Sequence, residues 1–384
     1  MPAFETEAGV AEAAAAMRSC PPDVGRWAER QRPRCDRVRV EPGCIGRVCH
    51  GGSSLRSKEP DLGLFFCRMA LKRRWGVTMA DAHADRAGSS PGTEAAHGDG
   101  QPERLERHVA RLAVEIGPRN LYHYEALERA AAYLESTLAE CGHAPVRQPY
   151  ETRGKVFSNI AAEVPGRGRP SEVVVIGAHY DTHKNSPGAN DNGSALAALL
   201  ELARHFAHRE AARTLRFVAF TNEESPFTRR KDMGNRVYAR QCRERRDEIV
   251  GMICLETIGY CSEEAGSQWL SLGGLFLPRR ADFLALVANR ASKSLLTEVS
   301  ESLARNSRLR HRALTLPTHF PGAWSSDHWS FWREGFPALM VTDTAFLRYR
   351  YYHRRGDTPD KLRFDWLSRV VDGLKGVVAD IART

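Results

Sequence analysis

Apolar and polar positions alternate with three textures along this chain. From Glu103 onward Leu105, Val109, Leu112 and Val114 recur at a spacing that predicts an amphipathic helix. Tyr124 to Cys141 predicts a second helix, with Gly142 as its stop. The stretch from Val146 to Gly166 reads as a β-hairpin closed by Pro165 and Gly166. Val173 to Gly177 is then a short apolar run rich in β-branched residues, the pattern of a strand buried on both faces. At its carboxyl end the polarity switches at once to His179, Tyr180 and Asp181, followed by a Pro/Gly/Asn-rich loop and Asp191, Asn192 and Gly193. Ala195 to Phe206 resumes at helical spacing, so the unit reads strand, polar loop, helix.

That logic recurs. TLRFVAF predicts a second buried strand, followed immediately by Asn222, Glu223 and Glu224. IVGMICLETIGY predicts a third, with Glu256 inside an otherwise apolar run, and PALMVTD a fourth, ending at Asp343. An amphipathic helix from about Asp365 to Ala382 closes the chain. In open α/β sheets ligands gather outside the carboxyl ends of the strands, where all these polar groups would lie.

Residues 1–100 lack sustained periodicity and are read as a disordered extension, leaving 101–384 as the folded domain. Composition supports this division. Of the formal net charge of +9, five units come from 14 basic and 9 acidic residues up to Thr78, so the basic balance belongs mainly to the tail. No nucleic-acid partner is expected on that basis. Five of the nine cysteines (Cys20, Cys35, Cys44, Cys49, Cys67) also lie there, and Cys141, Cys242, Cys254 and Cys261 show no CxxC spacing. A reduced compartment, the cytoplasm, is therefore the expectation. LGLFF at 62–66 is too short to span a membrane, and no apolar core follows an early basic region as in a signal peptide. Met69 and Met79 are alternative starts, and a secreted protein stays open if the true start differs. The sequence specifies no oligomeric state.

The polar groups at the strand ends suit metal chemistry. Adjacent Glu223 and Glu224 on an extended segment point in different directions, so one can bind a metal while the other faces a water. Glu256 is costly in apolar surroundings unless paired or metal-bound, and an ion pair with an arginine would also explain it. Taken singly, Asn-Asp-Asn-Gly reads as a turn sooner than as a metal site, and Tyr-His as an ordinary loop pair. Their conjunction at successive strand ends is what points to a metal site. Trp324, Trp329 and Trp332 read as packing, and the arginine runs at 243–246 and 348–355 as solvated faces, the second also suited to a substrate carboxylate.

HYDT, GANDNGSA, NEE, LETIGY, SSDHWSFW and YHRRGDT occur in the order and approximate spacing of the M28 family of metallo-aminopeptidases, which the chain resembles over roughly residues 103–384. The resemblance implies the zinc-dependent exopeptidase type of α/β fold, a central mixed, mainly parallel β-sheet flanked by helices. It also implies two Zn²⁺ ions per chain acting on peptide substrates. Carried over, His179 and Glu256 would bind one ion, Glu224 and His353 the other, Asp191 would bridge them and Glu223 would be the general base. Asp181 would orient His179, and Asp357 would do the same for His353. Asp327 and Asp343 match positions near the site, whereas His183 and His328 match no ligand. The bond after the bridging aspartate is often cis in the family. One departure is Ala323, where some members carry a tyrosine that binds the oxyanion; His319 or a tyrosine within 349–352 would have to replace it. Two rivals stand beside this reading: a glutaminyl-cyclase-like transferase with one zinc at the equivalents of Asp191, Glu224 and His353, and a catalytically silent domain of the same fold.

Overall fold

The structure is a computed structural model that describes residues 78–80, 100–269, 277–320 and 322–383. Among the described residues nine strands form one sheet: β1 (Thr78–Ala80), β2 (Val146–Thr152), β3 (Lys155–Val164), β4 (Arg169–His179), β5 (Arg213–Phe220), β6 (Glu248–Glu256), β7 (Leu284–Ala288), β8 (His311–Thr315) and β9 (Ala338–Thr342). Their order is β1-β8-β7-β9-β6-β4-β5-β3-β2. The central four, β9, β6, β4 and β5, run parallel. Antiparallel pairing begins outside them, at β3 on one side and β7 on the other. This is the mixed, centrally parallel sheet that the sequence led us to expect.

Parallel central strands must be covered on both faces, and alternation along β4 shows how. Val174, Ile176 and Ala178 enter one core, packed by α1 (Gln101–Ala110), α2 (Tyr124–Glu140), α3 (Ala195–Phe206), α5 (Lys293–Asn306) and α7 (Phe364–Arg383). Val173 and Val175 enter a second, under α4 (Gly234–Arg245) and α6 (His328–Arg333). Because β4, β5, β6 and β9 share one direction, their carboxyl ends, and the polar groups just beyond them, lie on a single rim. Among the described residues no helix is long and apolar enough to cross a membrane.

Three features differ from the expectation. The extension read over 1–100 lies outside the described residues apart from Gly100 and Thr78–Ala80, and the latter form an edge strand with Thr78 opposite Thr315. Three residues are too few to show a period, and their partner is remote in sequence. Val114, expected in the apolar stripe, is 65% exposed, because at 3.6 residues per turn it lies on the opposite side of the helix from Leu105, Val109 and Leu112. Arg348, read as part of a solvated run, is 1% exposed. Its Nε donates to Gln268 and Thr344 and its Nη1 to the carbonyls of Ala281 and Phe283, which is how a guanidinium is kept inside.

Arg119 is fully buried beneath the rim and holds it from below. Its guanidinium donates to the carbonyls of Tyr180, Leu112, Gly117, Pro187 and Gly188, joining the end of α1 to the loop after β4. Burial lowers its pKa to about 10, opposed by Asp357, Asp181 and Asp191, so it stays charged. Gly188 adopts a left-handed φ of 68°, and a Cβ there would meet the Asp191 carbonyl oxygen at 2.5 Å, so the loop can double back only with glycine. Arg119→Met removes the guanidinium from these carbonyls, of which Leu112 and Gly188 keep an amide partner, and leaves the interior of the rim without its buried donor. We expect it to lower the unfolding free energy by about 3–5 kcal/mol, measured by urea denaturation; a loss under about 1 kcal/mol would refute the role.

Candidate metal centre

His179 ends β4, Glu256 ends β6, and Asp191 lies on the loop between β4 and α3. His179 Nε2 is 3.4 Å from Asp191 Oδ1 and 3.4 Å from Glu256 Oε2. Glu224 follows β5, and His353 lies in the loop after β9; His353 Nε2 is 3.0 Å from Glu224 Oε1 and 3.2 Å from Asp191 Oδ2. Two sets of three donors thus converge, sharing Asp191, which offers one oxygen to each.

The donor spacing fits zinc. Tetrahedral bonds of about 2.0–2.1 Å place neighbouring ligand atoms about 3.3 Å apart. Asp191 Oδ2 and Glu224 Oε1 are buried yet have no hydrogen-bond partner, an arrangement that is costly without a cation. Among the described residues the ion pairs of Asp191, Glu224 and Glu256 are with the two imidazoles alone. Glu223 sits beside Glu224, 8% exposed, with its carboxyl engaged by no described hydrogen bond. Burial pushes its pKa well above the ordinary carboxylate value; His179 opposes this, and Glu224, Glu256 and Asp327 add to it.

A second layer of carboxylates fixes the backbone that carries the first. Asp181 accepts hydrogen bonds from the amides of Glu223 and Glu224, both at 3.0 Å. Its contact with His179, which the resemblance implies it orients, is made chiefly through its backbone. Nδ1 of His179 lies nearer the Asp181 carbonyl, at 3.1 Å, than its carboxylate, at 3.6 Å. Asp357 likewise holds the amides of Asn190 and Asp191 and the Tyr349 hydroxyl, so it braces the bridging residue where orientation of His353 was expected. Burial and the neighbouring Asp191 push Asp357 up to about 7 against those donors. Asp343 accepts from Asn190 Nδ2 and the amides of Tyr260 and Ala345. Asp327 accepts from Asn235, and burial raises it to about 7.

Residues that sequence reasoning passed over complete the frame. Asn190 Oδ1 receives the Gly259 amide and Asn192 Oδ1 that of Thr257, while Asn192 Nδ2 donates to the Leu255 carbonyl. The two asparagines flanking Asp191 therefore splint it to the segment carrying Glu256, across a cis Asp191–Asn192 bond. Ser326 donates to Glu256 Oε2 at 2.7 Å. Ala323 is buried, with its carbonyl against His328 Nε2, and His319 is exposed. Tyr352 stacks on His353 and lines a largely apolar cavity of about 110 Å³ together with Glu256. Leu277, Val287, Leu314, Met340 and Phe346 form much of its wall. Arg229 lies over Trp324, and Trp332 packs against the second core and donates to the Ala338 carbonyl.

Comparison with known proteins gives a consistent picture. The family model described as peptidase family M28 matches residues 159–378. The Escherichia coli (strain K12) protein YfbL is 35% identical over 285 residues, which is 71% of this chain and 86% of YfbL. BSAP, a zinc aminopeptidase from Bacillus subtilis, superposes with a TM-score of 0.61 at 15% identity over 74% of this chain and 95% of its own. A glutaminyl cyclase from Fimbriiglobus ruber does so with a TM-score of 0.54 at 19% identity, over 77% and 99%.

The electrostatics of the donors set how a metal is taken up. Burial alone would lower both imidazole pKa values. Glu256, Asp181 and Asp191 nevertheless hold His179, and Glu224 and Asp191 hold His353, well above the usual value. The metal-free protein therefore carries protons on these rings at neutral pH, and zinc must displace them. Zinc affinity should fall as pH drops below neutrality, and uptake should release protons. Calorimetric titration in two buffers of different ionisation enthalpy measures this; an enthalpy independent of buffer at pH 7 would refute it.

Proposed function

The chain belongs to peptidase family M28 and is a zinc metallopeptidase, and from that premise we propose that it binds two zinc ions and removes single residues from the amino terminus of peptides. The observation that carries the dinuclear reading is the split of Asp191, one oxygen facing His179 and Glu256 and the other facing Glu224 and His353. The fold is shared by aminopeptidases and glutaminyl cyclases, so it does not choose between them; a His179–Glu256 pair that completes a second donor set favours two ions.

Bound there, the ions supply Lewis acidity to the scissile carbonyl and bring a water's pKa toward neutrality. The remaining work falls to the chain's own groups. Glu223, whose carboxyl no described group engages, is suited to take a proton from the attacking water and return it to the leaving amine. Tyr352 serves as the oxyanion donor in place of the residue missing at Ala323. Burial and the charges of Asp191 and Glu224 keep its phenol protonated, so it can only give a hydrogen bond to developing negative charge. The cavity beside Glu256 receives the side chain of the departing residue, and its lining of Leu, Val, Met and Phe selects an apolar one.

On a panel of aminoacyl-p-nitroanilides, leucyl and phenylalanyl substrates should be cleaved at least about tenfold faster in kcat/KM than lysyl or aspartyl ones. Equal rates, or cyclisation of an amino-terminal glutaminyl peptide, would count against the reading. Glu223→Gln should keep both zinc ions by elemental analysis yet lose about a thousandfold or more in kcat/KM, and near-normal turnover would remove Glu223 as the base. Tyr352→Phe should lower kcat by about a hundredfold with little change in KM.

A further inference from the structure

The two imidazoles of the centre are held in different ways. His179 terminates a central strand, its side chain is 1% exposed, and its Nδ1 is bonded to the Asp181 carbonyl. His353 sits in a loop, in the left-handed backbone region at φ 59°, with its side chain 31% exposed. Its Nδ1 makes no hydrogen bond to a described residue. Metal-bound imidazoles are usually oriented by a hydrogen bond on the nitrogen that does not face the metal. Here two aromatic planes stand in its place: the His183 ring at 4.4 Å between centroids and 8° between planes, and the Tyr352 ring at 3.9 Å and 19°. One face of an imidazole has room for only one ring at such distances, so the two neighbours cover opposite faces.

These neighbours are not equivalent. Tyr352 is the residue next to His353 and moves with the same loop. His183 belongs to the loop after β4, and its backbone is fixed independently. The Asn120 side chain, itself 3% exposed, donates to the carbonyls of Thr182, His183 and Lys184, and the Arg119 amide donates to Thr182 Oγ1. His183 is thus a plane anchored to the rigid rim, against which the ring of an exposed loop residue is pressed. Direct ligation by His183 is a poor alternative. An ion in the plane of His353 lies about a stacking distance out of the plane of His183, where that ring has no lone pair.

We propose that His183 is the positioning residue of His353, acting through stacking, and that it sets how tightly the Asp191, Glu224 and His353 site holds its metal. The proposal rests on the dinuclear reading. It is tested by titrating zinc into the metal-free full-length protein in competition with a chelator, for the wild type, His183→Ala and His183→Phe. The wild type takes up two ions. In His183→Ala one uptake step is unchanged and the other is weakened about 10–100-fold, as for loss of other groups that orient a ligand. In His183→Phe, which keeps the ring but no nitrogen, the second step returns to near the wild-type affinity. Unchanged thermal midpoints of the three metal-free proteins exclude a general loss of structure. Two ions in the wild type with an unaffected His183→Ala overturn this proposal alone, as does a His183→Phe as weak as His183→Ala. A single ion in the wild type overturns the dinuclear reading and this inference with it.

Discussion

Crowding of like charge at the carboxyl ends of the central strands is the constraint on which the rest of the structure depends. Asp191, Glu223, Glu224 and Glu256 are all nearly excluded from water, with Asp181 close by. Anions at such density are tolerated only where dipoles and cations are fixed around them. The rim supplies these in layers. Imidazoles lie between the innermost oxygens, backbone amides are aimed at Asp181 and Asp357, and the Arg119 guanidinium lies below, tied to carbonyls of the loop it supports. The loops after β4, β5, β6 and β9 are consequently cross-linked to one another by side-chain hydrogen bonds.

That arrangement explains which parts were legible in the sequence. β4, β5, β6 and β9 are buried on both faces, so each appears as an unbroken apolar run, and the polar groups that follow stand out against it. The seven residues His179, Asp181, Asp191, Glu223, Glu224, Glu256 and His353 are found together because each directly follows or ends such a run, or belongs to a motif of fixed spacing. β7 and β8 escaped notice: LALVA and HRALT are five residues each, as short as an ordinary stretch of helix or loop. β1 is shorter still, and nothing local marks its partner.

The roles of supporting residues were less legible for a different reason. Asp357 was expected to serve His353 because it is four residues away in sequence, yet its carboxylate reaches back to the amides of Asn190 and Asp191. Arg348 looked like part of a solvated run because its neighbours are arginines, and only the folded chain shows four carbonyl and side-chain acceptors gathered on it. His183 has no sequence signal beyond following HYDT, since stacking depends on a loop more than 150 residues further on. Sequence spacing identifies groups that must be near a strand end; it carries little about which loop a side chain will meet.

Most of the wall of the cavity beside Glu256 comes from strands β7, β8 and β9 and the turns next to them, which contribute no donor to either triad, and it is completed by Glu256 itself and by Tyr352, next to His353. Most of its wall and the ligands therefore lie in different stretches of the chain. Substitutions at Leu277, Val287 or Leu314 can widen, narrow or recharge the cavity without replacing a ligand, which separates the shape of the space from the chemistry at its edge.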